Sequence, residues 1–218
     1  FSYFLHLSLS KLFHKMGKNK QDFPNNSRAG NVVRKVTLRY AQVKTPTGAT
    51  NIFTLRGNGL FDPDVTGAGS QPTGFDEYMA LFKNFRVVGS RCTAIFSAAS
   101  TTFGSGTSVL AVRADDNSGA APASTSDILA QRNSVYSFNQ GINGPVSRVS
   151  AHNRTATVTK LSPNSPDLMG SAAADPTVQW HWHVHLNSID ASSTPSGRLF
   201  VIVEYDVEFF GMKTLTLS

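Results

Sequence analysis

One cysteine, Cys92, in 218 residues excludes an intramolecular disulfide framework, so stability has to come from a buried core or from neighbouring copies. No hydrophobic run approaches the roughly 18 residues that a membrane span requires. There is no Gly-x-Ser-x-Gly, no Walker A sequence, and no Gly-x-Gly-x-x-Gly set between a strand and a helix, so the common signatures of acyl and phosphoryl transfer are missing. Cys92 itself falls between Arg91 and Thr93 in a predicted strand, where a buried inert thiol is expected rather than a nucleophile. Charged residues make up only 16%. These absences favour a non-enzymatic domain.

What the chain does have is punctuation and strand formers. Gly numbers 17 and Pro 10, aromatics are 10% and hydrophobic residues 40%, a profile that suits one all-β domain with a sizeable core. Strand signals recur at about 32–44, 50–57, 85–99, 107–115, 134–139, 147–161, 177–189 and 197–211, separated by Gly, Pro, Ser, Asn and Asp clusters. Two connections read as helical. In the stretch from Asn58 to Ser90, Phe75, Tyr78, Met79 and Phe82 share one helical face, and Thr73 with Asp76 forms a capping box. In 124–132, Ser124 and Ser126 cap a second short helix. Before the first of these, Gly59, Pro63, Gly67, Gly69, Pro72 and Gly74 predict a loop held in one shape.

The net charge of +6 is informative once it is located. Residues 1–35 carry Lys11, Lys15, Lys18, Lys20, Arg28, Arg34 and Lys35 against Asp22 alone, while residues 36–218 balance thirteen basic and thirteen acidic residues. A cationic arm on a neutral body reads as a phosphate contact, because clustered Lys and Arg release counterions without reading sequence; a solvated tail is the alternative. Phe1, Leu5, Leu9, Leu12 and Phe13 make an apolar helical stripe within the arm. The polar, turn-rich segment Gln21 to Gly30 marks the boundary, giving an arm at 1–30 and a body at 31–218.

Three groups of residues invite a chemical reading. Glu204, Asp206 and Glu208 alternate with Val203, Tyr205, Val207 and Phe209 in the final strand. Pairing with a first strand that carries Lys35 and Arg39 would neutralise this ladder without any catalytic role. His181, His183 and His185 share one face of a strand whose other face is Trp180, Trp182, Val184 and Leu186. At ~6.6 Å per step all three cannot easily hold one tetrahedral ion, so a polar face or a pH-sensitive interface is expected. Asp62 and Asp64 in the glycine-rich loop, with Asp115 and Asp116 after the fourth strand, are the candidate metal ligands, and calcium is the ion that paired loop carboxylates suit.

The string Leu60-Phe61-Asp62-Pro63-Asp64, then Thr66-Gly67, Gly69, Gln71-Pro72, Gly74-Phe75-Asp76 and Arg86-Val87-Val88-Gly89-Ser90 resembles a segment of capsid proteins from small circular Rep-encoding single-stranded DNA viruses. Nodavirus-like and tombusvirus-like capsid proteins are close in style. The resemblance covers those thirty-odd residues directly. It implies a single eight-stranded jelly-roll sandwich, strands B to I, with short helices in the C–D and E–F connections and an N-terminal basic arm. It further implies a capsid protein located in the virion, with many identical copies closing into an icosahedral shell around a single-stranded genome, DNA favoured. Calcium between subunits would be in keeping with it. The other readings are the capsid protein of a single-stranded RNA virus and a jelly-roll binding module of lectin or cupin type.

Overall fold

The alternation of the final strand decides the architecture. In the computed structural model, which describes residues 33–67, 69–98, 107–116, 124–139, 146–190 and 192–214, Leu199, Val201, Val203, Tyr205, Val207 and Phe209 are all at most 2% exposed. A strand with one wholly apolar face needs a second sheet to cover it. Residues 31–218 form one unit, whose described strands and α-helices are β1 (Arg34–Lys44), β2 (Thr50–Arg56), α1 (Phe75–Leu81), β3 (Phe82–Ala98), β4 (Ser108–Asp115), α2 (Thr125–Ala130), β5 (Ser134–Asn139), β6 (Ser147–Arg154), α3 (Thr155–Thr159), β7 (Met169–Ser171), β8 (His181–Ser188) and β9 (Gly197–Met212).

One sheet runs β1-β9-β3-β6, with β7 also pairing β3, and the other runs β2-β8-β4-β5. Every pairing is antiparallel. The chain thus passes repeatedly between the two sheets, in the strand order of a jelly roll. Between the sheets Trp182, Val184 and Leu186 of β8 and Leu110 and Val112 of β4 meet the apolar face of β9, all fully buried. Burying a side chain of that size contributes about 1.5–3 kcal/mol, so this layer dominates the stability. Polar atoms inside it are matched. Trp182 Nε1 donates to Ser90 Oγ at 2.9 Å, Ser90 Oγ donates to the Gly57 carbonyl at 2.7 Å, and Tyr205 Oη donates to the Arg56 carbonyl at 2.9 Å. These bonds tie the two sheets together.

The structure corrects several expectations. There are nine strands among the described residues instead of eight, the extra one being the three-residue β7. The strand expected over 147–161 stops at Arg154, because Thr155–Thr159 turns into α3 and ends at Lys160 with φ 61°. The strand expected over 177–189 begins only at His181. Before it, the Trp180 amide donates to Asn58 Oδ1 and its carbonyl accepts from Gly57 N, which holds that segment out of a ladder. Both helices form where expected, and Ser124 Oγ accepts from Asp127 N at 3.1 Å as the cap of α2. The capping box does not form. Gly74, with φ 89°, is the N-cap of α1 and no side chain caps it. The expected apolar face of α1 is present: Phe75 and Met79 are buried, and Tyr78 stacks on Phe209 at 4.8 Å.

Candidate nucleic-acid interface and assembly edge

Of the seven cations assigned to the arm, Lys11, Lys15, Lys18, Lys20 and Arg28 lie outside the described residues, as does the apolar stripe of residues 1–15. Arg34 and Lys35 belong instead to β1, the first strand of the body. Lys35 Nζ stands 3.0 Å from Glu208, so it serves the sheet before any phosphate.

The β1-β9-β3 register lays out the outer face of this sheet in rows. Lys35 sits opposite Glu208 and Glu208 opposite Arg86; Arg39 sits opposite Glu204 and Glu204 opposite Arg91. Arg86 Nη2 reaches Glu208 at 2.5 Å. Burial alone would raise the Glu208 carboxyl, but the Arg86 and Lys35 hydrogen bonds outweigh it and hold the group below the usual range. Thr37 Oγ1 donates to Asp206 at 3.0 Å, and His152 Nε2 lies 3.6 Å from the same carboxylate. At Glu208 and Asp206 the ladder is therefore a cross-strand charge device, while Glu204 faces Arg39 and Arg91 in register without an ion pair to either. Between Val87 and Gly89 the register slips by one residue, so Val88 is a bulge. Gly89 is required there, since a Cβ would stand 2.8 Å from the Asn153 carbonyl oxygen of β6.

The glycine-rich loop is held by charge. Arg56 Nη1 lies 3.2 Å from Asp62 and donates to the Asp62 carbonyl; Arg56 Nε is 3.6 Å from Asp175 and donates to Gln179 Oε1 at 2.9 Å. Lys44 Nζ meets Asp64 at 2.7 Å, with Asp64 only 2% exposed. Burial pushes the Asp64 carboxyl up, but Lys44 together with the Thr66 amide and hydroxyl more than offsets this and brings it to about 2. Asp62 and Asp64 are thus engaged by cations of their own chain, and Asp115 by Arg113. Among the described residues no three His, Cys, Asp or Glu side chains gather so as to hold a metal ion, so the structure does not assemble the expected calcium ligands Asp62, Asp64, Asp115 and Asp116 within one chain.

His181, His183 and His185 lie on the outer face of the second sheet, with ring centroids 6.5 and 6.3 Å apart. All three are buried. Their neighbours across the sheet are Arg56, Thr54 and Ile52 on β2 and Asp115, Arg113 and Ala111 on β4. Burial, and then the neighbouring His183, push His181 and His185 down to about 4, so both are neutral near pH 7. Both ring nitrogens of His185 lack a hydrogen-bond partner.

The four outermost strands differ in one respect that sequence reasoning missed. β1, β2 and β6 carry Lys or Arg, but β5, Ser-Val-Tyr-Ser-Phe-Asn, carries no charge, no proline and no bulge. Its Val135, Tyr136 and Phe138 are 44%, 47% and 50% exposed, and the two aromatic rings meet edge to face at 5.7 Å. Sheet edges are ordinarily blunted by charge or proline, and an unblunted one is a template for another chain. The signal available in the sequence was the missing charge in 134–139.

The strand order and these surfaces define a jelly-roll sandwich with a charged outer sheet face and one uncharged, aromatic edge. No family model and no curated protein sequence matches the chain. Among solved structures it is similar to a chain of Mud crab tombus-like virus, at 11% identity over 94% of this chain and 100% of that one, with a TM-score of 0.49. It is also similar to one of Desmodium yellow mottle tymovirus, at 11% identity over 87% and 94%, TM-score 0.47. A third is from the semi-empty VLP of Macrobrachium rosenbergii nodavirus, at 8% identity over 88% and 100%, TM-score 0.45. At such identities and scores they add nothing to the strand order, and the resemblance to Rep-encoding DNA viruses finds no support among them.

Proposed function

We propose that this chain is the coat protein of a small virus, assembling in many copies into a closed icosahedral shell, the virion, around a single-stranded genome. The observation that carries the reading is the β5 edge: an uncharged, aromatic, half-exposed strand at the rim of a jelly-roll body whose other rims are charged. The cationic segment before β1, with Lys11, Lys15, Lys18, Lys20 and Arg28, is the part proposed to neutralise the genome through phosphate contacts, which are salt-weakened and blind to sequence. Phosphate contacts do not read the sugar, so the proposal is of a single-stranded genome; the preference for DNA finds no support and is not carried forward, and RNA, the other genome reading of the sequence, is the one the test uses. The role is structural, with no catalytic step. Among the described residues no helix is long and apolar enough to cross a membrane.

A cupin reading needs ligand-binding groups opening into the space between the sheets. That space is filled by Trp182, Val184, Leu186 and the apolar face of β9, and the histidines lie on the outside of their sheet. Size-exclusion chromatography and negative-stain microscopy of the full chain expressed with RNA test the proposal. It requires megadalton particles holding nuclease-protected RNA; a monomer or small oligomer under all salt and pH conditions refutes it.

A further inference from the structure

The body is close to neutral, yet its charge is polarised. Outward positions of the β1-β9-β3-β6 sheet hold seven Lys or Arg and only the three carboxylates of β9, whereas the remaining described residues hold eight Lys or Arg and ten carboxylates. One face is therefore positive and the rest of the body negative. Six of the seven cations on that face are arginine, in contrast to the lysine-rich segment at 11–20. Lys35 and Arg86 are occupied by Glu208. Further across the sheet, Arg91 on β3 and Arg148 and Arg154 on β6 are exposed, and among the described residues none of the three has an ion pair or a side-chain hydrogen bond.

Arg148 and Arg154 lie on one side of β6 six residues apart, about 20 Å along the strand, which is several nucleotides of a single strand. Beside Arg154 a cavity of about 270 Å³ opens between it, Thr157 and the Arg86–Glu208 pair, leaving Arg154 as its unpaired cation. A planar guanidinium without a carboxylate partner is a fork of donors matched to phosphate oxygens. The basic sequence also runs directly into this sheet, since Arg34 and Lys35 open β1.

We infer that the outer face of the β1-β9-β3-β6 sheet, at Arg91, Arg148 and Arg154, is a second phosphate-binding surface for single-stranded nucleic acid, separate from the N-terminal cations. This inference rests on the coat-protein reading. Its contribution is read as the salt dependence of binding, because each phosphate of a single strand that the protein no longer neutralises lowers the slope of log K against log salt by about 0.7.

The test uses the full chain and fluorescence anisotropy with a 20-nucleotide oligouridine between about 50 and 300 mM salt. Arg148→Gln with Arg154→Gln is expected to reduce the slope by about 1.4, with thermal unfolding unchanged. Arg148→Lys with Arg154→Lys retains the slope, and Lys83→Gln with Arg132→Gln, the same loss of charge at the exposed start of β3 and after α2, off the outward rows of the sheet, leaves it as in the wild type. A Gln pair whose slope matches that control overturns the inference while leaving the coat-protein reading intact. If the pair binds RNA normally but particles fail to form, the face is a contact between copies and the inference is wrong. Particles that form from a wild-type chain unable to bind RNA at any salt remove both the nucleic-acid face and the packaging half of the proposed function.

Discussion

Replacing Tyr136 and Phe138 by threonine separates assembly from folding. Both side chains are about half exposed, and threonine keeps the strand preference of β5 while giving up most of the buried half of each ring and their edge-to-face contact, so the unassembled subunit should lose about 3 kcal/mol of stability and still fold. An aromatic residue carries about 200 Å² of surface, so each of these two offers about 100 Å² to a neighbouring copy. At about 25 cal/mol per Å² the pair is worth about 5 kcal/mol if fully covered. Association converts area to affinity inefficiently, and threonine retains part of it, which leaves about 2 kcal/mol per contact. That is about thirty-fold in the concentration at which contacts form. Sedimentation velocity across a dilution series measures it, with circular dichroism to verify the fold. Particles that appear at the wild-type concentration would refute the assignment of β5 as the adhesive edge.

Two further outcomes follow from buried charge. Lys44→Met leaves the Asp64 carboxylate buried without its ammonium and should cost about 3 kcal/mol in chemical denaturation at neutral pH. Because the folded-state value for Asp64 lies below its ordinary 3.8, at about 2, its stabilisation is present above about pH 4 and is lost as pH falls toward 2; in the variant this acid-side loss should shrink. His181 and His185, held near 4 against an ordinary 6.5, stabilise the fold above about pH 6.5 and lose that contribution as pH falls through 4. His185→Leu, which removes two ring nitrogens without partners, should leave the melting temperature at pH 7.5 unchanged or higher and flatten its fall by pH 5, with Arg113, His183 and Ala111 still packed around it. An unchanged acid slope in that variant assigns the pH dependence to other groups.

The long strands were legible because alternation survives tertiary context: β9 and its partner β1 could be read as an antiparallel pair with cations facing carboxylates, and the structure adds the register. The ends of elements were not. Thr155-Ala-Thr-Val-Thr159 has the composition of a strand but forms a helix, with Thr155 Oγ1 accepting from Trp180 Nε1 at 3.2 Å and Thr159 Oγ1 donating to the Thr155 carbonyl at 2.9 Å. β7 is too short to carry a period. The loop carboxylates read as metal ligands because the sequence shows their spacing but not the approach of Lys44 and Arg56 from other strands. The polarity of the outer sheet was hidden for a similar reason. Its cations come from four strands scattered between residues 35 and 198, and a net charge near zero conceals them until the register places them side by side.

β9, the last described strand in sequence, lies between β1 and β3. A ribosome making this chain therefore releases the edges of the sheet long before the strand that joins them, and Arg34 must wait for Phe209 before it has a neighbour. Native closure of that sheet cannot happen while β9 is still in the exit tunnel, so until β9 emerges no copy offers the native sheet to another.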